Sequence, residues 1–347
     1  MDAKYDGDAV RAGPAGREQF YDARGYGRPV DGDIRLAPVE AAHLLFRGDL
    51  DAVVDEATGE RLGFGDFLVS GAVSEVAFFV YKDLRERGFY LSPADGERGV
   101  DFVVYPRGKG PWDDAVAYRV GAVGERTDVP ADRLAGLPGE EGTTGVLAVV
   151  DEESELTYFG VEAPTLTGSS YHELPEVTGT LLTDRVLVDD PPAGLYDRAF
   201  YGQRLADEGA VQLSLVEAAA LAGRGTLSLA DSAGVDSRSR LVERGRAVEG
   251  DRFDRRHRVY DALRAAGLVP KTGYKFGADF RTYADVDSVA DLGHSELLVR
   301  VLPGGHAFAP RNLALDVRLA HGVRKEMVFA LAAESGIEWL SVTRLTP

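Results

Sequence analysis

Between residues 310 and 323 the apolar residues Leu313, Val317 and Ala320 recur at three- and four-residue spacing, which predicts a helix with one buried face. The pattern then changes period. Met327–Ala333 is a nearly continuous apolar run, Glu334-Ser335-Gly336 is a turn, and Ile337–Leu345 resumes the run, so the chain should end in a β-hairpin. Upstream, Phe280–Tyr283 and Leu297–Leu302 read as strands. Earlier still come a strand at Arg185–Val188, a helix around Val216–Leu221, and a helical stretch ending near Arg264 with Gly267 as its stop signal. Val146–Val150, a polar turn and Leu156–Val161 repeat the terminal hairpin in the first half.

That repetition is general. Val39-Glu40-Ala41-Ala42 recurs as Val216-Glu217-Ala218-Ala219, at an offset of 177. Val80-Tyr81, Leu84-Arg85 and Gly88 recur as Val259-Tyr260, Leu263-Arg264 and Gly267, at 179. Asp101-Phe102 with Tyr105 recurs as Asp279-Phe280 with Tyr283, at 178. Three matches in one order at nearly one offset mark a duplication. The expected fold is therefore mixed α/β (α+β) in two tandem copies. Each copy divides in two: residues 1–70 and 75–165, a Pro/Ser/Thr/Gly-rich linker over 166–179, then 180–252 and 255–347. The copies differ at informative places. Tyr283 keeps a partner in Tyr105, whereas His294 falls opposite Asp113–Val116, where there is no histidine. Matching Leu147–Val150 to Val328–Leu331 sets Lys325 opposite Thr144.

Composition narrows the chemistry. With 44% hydrophobic residues in 347, the chain can build real cores. It has no cysteine, which removes disulfides, thiol nucleophiles and cysteine-bound zinc. The six histidines are scattered without metal-ligand spacing, so neither a metal nor any other cofactor is expected. No run of about 18 apolar residues is available to cross a membrane. Met1–Asp6 lacks the pattern of a signal peptide, so a cytoplasmic location is expected. The net charge of −18 argues at first against a nucleic-acid partner. Scarce lysine with plentiful Asp, Glu, Ala, Gly and Val instead suits a halophilic cytoplasm of molar salt, where the Debye length is about 3 Å and local contacts decide. From Lys271 onward nine basic residues balance nine acidic ones, so an anionic ligand is best sought there.

Three segments in this neutral quarter carry a family resemblance. They are Tyr274-Lys275-Phe276-Gly277-Ala278-Asp279-Phe280-Arg281-Thr282-Tyr283, His294-Ser295-Glu296, and Arg318-Leu319-Ala320 through Gly322-Val323-Arg324-Lys325. Together with Tyr201-Gly202 and Ser214–Ala218 they resemble the archaeal tRNA-splicing endonucleases, in the tandem-repeat form that works as a homodimer. The resemblance covers nearly the whole chain, strongly from about residue 255 and weakly in the first copy. It implies nuclease-like second subdomains, a degenerate one at 75–165 and a catalytic one at 255–347, with Tyr283, His294 and Lys325 as the catalytic triad. It implies further that Arg318 and Arg344 of the opposite subunit clamp a bulged base, and that the substrate is a precursor tRNA with a bulge–helix–bulge motif. The family docks its subunits partly through an acidic loop, for which Glu140 and Glu141 are the candidates, a solvated acidic loop being the alternative.

The residue types suit such chemistry without a metal. RNA carries its own nucleophile, the 2′-hydroxyl, so an enzyme needs a base, an acid for the leaving 5′-oxygen and a cation for the developing charge. An imidazole titrating near 6.5 makes His294 the natural acid. Lys325 supplies the cation. A free phenol holds its proton to about pH 10, so Tyr283 as base requires that cation close by. Two other readings remain: a non-catalytic RNA-binding subunit, which the full triad disfavours, and a metal-dependent DNA nuclease. The latter needs a carboxylate cluster with an Asp/Glu-x-Lys step, and none follows the Tyr283 strand.

Overall fold

The computed structural model describes residues 1–94, 99–140, 142–206, 209–231 and 236–347. These fall into two compact units. The first holds Met1–Glu162 with Ala307–Ala314 and Thr343–Pro347, the second Ala163–His306 with Leu315–Val342.

In the first unit, six short strands form one mixed sheet in which Asp2–Tyr5 lies parallel to Ala52–Asp55. The helix Pro38–Phe46 stands between those two strands in sequence, as a parallel crossover requires. A second group of strands follows the helix Glu75–Glu86. Leu91–Pro93, Phe102–Val104, Tyr118–Gly124, Thr144–Val150 and Leu156–Glu162 neighbour one another in that order. Phe20, Tyr26, Leu44, Tyr81, Leu84 and Phe102 are buried together in one core cluster.

The second unit repeats the plan. Strands Val177–Leu181, Arg185–Val188, Val211–Ser214 and Leu227–Leu229 pack with the helices Leu215–Gly223, Ser237–Glu249 and Asp251–Ala265. Strands Val269–Thr272, Phe280–Tyr283, Leu297–Pro303, Glu326–Ala333 and Gly336–Leu345 then neighbour one another in chain order. Leu297–Pro303 runs parallel to Glu326–Ala333 through the helix Pro310–Gly322, and every other adjacent pair is antiparallel. The helices and strands expected in this half are found to within one or two residues.

The segment expected as a linker is not a loose tether. Strand Val177–Leu181 occupies its end. Gly168 and Ser170 donate backbone hydrogen bonds to Ala266 and Gly267, and Ser169 donates to Ala284. A Cβ on Gly168 would lie 2.4 Å from the Gly267 oxygen, so the small residues there permit backbone-to-backbone contact.

The duplication extends to atoms. Glu40 accepts hydrogen bonds from the Gly27 and Ala37 backbone at 2.8 Å each; Glu217 accepts from Gly202 at 2.9 Å and Ser214 at 3.0 Å. Arg85 stacks on Tyr26 at 4.0 Å, and Arg264 on Tyr201 at 3.9 Å. One partner differs. Strand register sets Lys271 of the second copy where the first has Ser92, and Lys271 Nζ reaches Glu217 at 2.9 Å. Burial raises both carboxyls, but Lys271 and the backbone N–H groups outweigh it at Glu217, which falls to about 2. Glu40 has serine where Glu217 has this lysine, and burial outweighs its backbone donors and the Arg85 and Arg28 charges, so it rises to about 7.

Glu40 therefore binds its proton more tightly folded than unfolded. Its contribution to stability is complete below about pH 4.5 and is lost as pH rises toward 7, by about 3 kcal/mol. Nearby His43, pushed down to about 4 by burial and Arg85, runs the other way below its ordinary value. A Glu40→Gln variant isolates the carboxyl. Its stability minus that of the parent should climb across pH 4.5 to 7 in chemical denaturation, and a constant difference would show that Glu40 ionises normally.

Candidate active site

Three neighbouring strands bring the expected residues to one end of the sheet. Tyr283 closes the strand Phe280–Tyr283, which is antiparallel to Leu297–Pro303. His294 lies three residues before that second strand begins, and Lys325 lies one residue before the parallel strand Glu326–Ala333. Two backbone bonds close this end: Glu296 N to Thr282 O at 3.0 Å, and Glu326 N to Glu296 O at 3.1 Å. Topology alone thus gathers residues separated by 42 positions in sequence.

Each side chain has its own setting. Arg324 adopts φ 56°, a left-handed conformation uncommon outside glycine, which turns the chain from the helix into the strand. Lys325 then donates its ammonium to the Ser295 carbonyl, next to His294. Burial and the nearby Arg281 guanidinium push Lys325 below the usual lysine range, while Glu296 opposes them. His294 itself is exposed. Tyr283 is 5% exposed, its ring 5.8 Å from that of Phe200 in a small cluster with Val269 and Val286.

Strand register corrects one assignment. Thr144 pairs with Tyr118 as Glu326 pairs with Leu297, so Lys325 stands opposite Thr143 rather than Thr144. The one-residue difference has a physical reading, because a slip of one would turn each side chain to the other face. The Thr143 hydroxyl faces the Val116 carbonyl at 3.4 Å, the first-copy counterpart of Lys325 on Ser295. The first copy keeps this tie and lacks the charge.

Arg318 is exposed on the helix Pro310–Gly322. Arg344 is exposed on the last strand, in a stretch that falls with the first unit. Among the described residues neither forms a hydrogen bond or ion pair with Tyr283, His294 or Lys325. Glu140 is exposed in a turn, its carbonyl accepting from Thr143 N at 2.9 Å; Glu141 lies outside the described residues.

Sequence reading missed Phe200. It takes φ 52° where the first-copy turn, one residue before Tyr26, has Gly25 at φ 64°. A bulky residue in this region costs about 1–3 kcal/mol. Its ring has the Lys271 ammonium 4.6 Å from its centroid and the Tyr283 ring 5.8 Å away. A non-glycine residue beside the Tyr201-Gly202 turn was the available signal.

The sheet-end constellation belongs to a domain of the endonuclease class: a family profile described as "tRNA intron endonuclease, catalytic C-terminal domain" matches residues 253–339. A second, described as "tRNA intron endonuclease, N-terminal domain", matches twice, at 1–68 and 177–238. Relatives called tRNA-splicing endonuclease align end to end. That of Haloarcula marismortui is 59% identical over 354 residues, covering 100% of both chains, and that of Haloferax volcanii is 50% identical over 361, again 100% of both. The Methanosarcina mazei protein is 38% identical over 351 residues, covering 98% of this chain and 97% of its own. The chain belongs to the tRNA intron endonuclease family.

Proposed function

We propose that this enzyme excises introns from precursor tRNA by metal-independent cleavage at bulge–helix–bulge splice sites, as a cytoplasmic homodimer, leaving 2′,3′-cyclic phosphate and 5′-hydroxyl ends. Family membership supports tRNA-intron lyase activity and intron excision. The observation that carries the finer reading is the meeting of Tyr283, His294 and Lys325 at one sheet end. Among the described residues no helix is long and apolar enough to cross a membrane.

In this reading Tyr283 takes the proton of the 2′-hydroxyl, whose oxygen attacks the adjacent phosphorus. The bond from phosphorus to the 5′-oxygen breaks, and His294 protonates that oxygen. Lys325 offsets the charge gathering on the non-bridging oxygens. Its ammonium is already held on the Ser295 carbonyl, so little reorganisation is needed when the phosphate arrives. Arg318 and Arg344 would stack on a bulged base from the opposite subunit, which suits recognition by shape.

Incubating the purified protein with a bulge–helix–bulge RNA at high salt in excess EDTA tests this. Two cuts per motif with cyclic-phosphate and 5′-hydroxyl ends are expected. Loss of cleavage in EDTA, or 5′-phosphate ends, would overturn the mechanism.

A further inference from the structure

Four arginines and lysines face a groove of about 380 Å³ in the second unit. Three are already neutralised. Arg185 pairs with Asp184 at 2.5 Å, Arg256 with Glu249 and Asp279 at 2.6 and 3.2 Å, and Lys271 with Glu217 at 2.9 Å. Arg281 is the exception. It forms no ion pair or side-chain hydrogen bond among the described residues, and its Nε is buried without an acceptor. A half-buried guanidinium with no carboxylate beside it leaves its outer donors for an incoming acceptor.

Its position tells what that is. Residues 281 and 283 lie on the same face of their strand, and the Arg281 guanidinium sits 5.7 Å from the centroid of the Tyr283 ring. Lys325 feels the same guanidinium as repulsion. An unpaired guanidinium beside the Tyr283 ring, at a groove lined also by Gln203, Gln212 and Thr272, makes a receptor for an anion. The first copy supplies the contrast. Its equivalent groove has Ser92 in place of Lys271, and register sets Val103 in place of Arg281. Both cations are absent from the copy that also lacks the histidine and the lysine of the triad.

We propose that Arg281 is a substrate-binding residue of the active site, holding a backbone phosphate of the RNA next to the scissile one and leading the flanking strand into the groove above Lys271. The proposal rests on the reading of Tyr283, His294 and Lys325 as the cleavage site.

The test uses Arg281→Val, since valine already occupies this register position in the first copy, with Arg281→Lys as the charge-preserving control. Both are made in a His294→Ala background so that uncleaved RNA can be titrated. Binding to a bulge–helix–bulge RNA is measured across a KCl series. Arg281→Val should weaken binding about 10- to 100-fold and flatten the slope of log affinity against log salt by about one. Arg281→Lys should restore most of the slope. An unchanged slope in Arg281→Val, with unchanged melting, would overturn the phosphate contact. If His294→Ala alone cleaves at the parental rate, the active-site reading fails instead, which keeps the two failures apart.

Discussion

Replacing His294 with alanine should slow cleavage of a bulge–helix–bulge RNA by about 10²- to 10⁴-fold while RNA binding and melting stay as they are. The expected size is that of removing a general acid. Without a proton donor the 5′-oxygen must leave as an alkoxide, and the cation at Lys325 offsets only part of that charge. The test is clean because His294 is exposed on a loop. Surface substitutions of this kind change stability by about 0.5 kcal/mol or less. Single-turnover cleavage is the measurement. An unaltered rate would remove His294 from the mechanism.

Lys325 needs a different design, because its ammonium also holds the Ser295 carbonyl. Alanine would remove charge and tie together. The first copy shows how to separate them, since Thr143 faces Val116 at the matching place without a charge. Lys325→Thr is therefore the informative replacement.

Much of the catalytic half was legible in sequence because its elements have strong periods and clear stops. The helix Pro310–Gly322 follows Leu313, Val317 and Ala320, and the hairpin turns at Glu334–Gly336 as its composition requires. Tyr283, His294 and Lys325 stood out by motif and by contrast with the first copy. Other features were hidden for physical reasons. The short strands of the first sixty residues, such as Val10–Ala12 and Arg28–Val30, are too brief to show a period. The Glu217–Lys271 pair joins residues 54 apart that no local pattern connects. Offset alone aligned the two hairpins one residue out, since the loops before them differ in length, and only strand pairing fixed Lys325 against Thr143. The segment 166–179 read as a linker from its small polar residues, yet smallness is what lets Gly168 press on Gly267.

Converting Lys271 to methionine should cost about 3–5 kcal/mol of stability at neutral pH, the usual result of removing one member of a buried ion pair. Lys271 is 10% exposed at its side chain and Glu217 8%. The ammonium meets three acceptors, the Glu217 carboxylate at 2.9 Å and the Phe200 and Gly202 carbonyls at 3.2 and 2.7 Å. That matches the three donors of a charged lysine. Without it the second copy adopts the polar arrangement of the first, where Glu40 keeps its backbone donors, has no lysine hydrogen-bonded to it and rises to about 7. Glu217, now at about 2, should move the same way. The sign follows. A depressed carboxyl stabilises above its ordinary value of 4.5 and loses that contribution as pH falls toward 2. The deficit of Lys271→Met should therefore be large at pH 7 and shrink in acid, as the parent gives up its own advantage. Chemical denaturation at pH 7 and pH 4 measures both ends. A double variant with Glu217→Gln should be less damaged than the sum of the two single changes. Strict additivity, or a deficit independent of pH, would mean that Lys271 acts by packing on Phe200 and its turn rather than by neutralising the buried carboxylate.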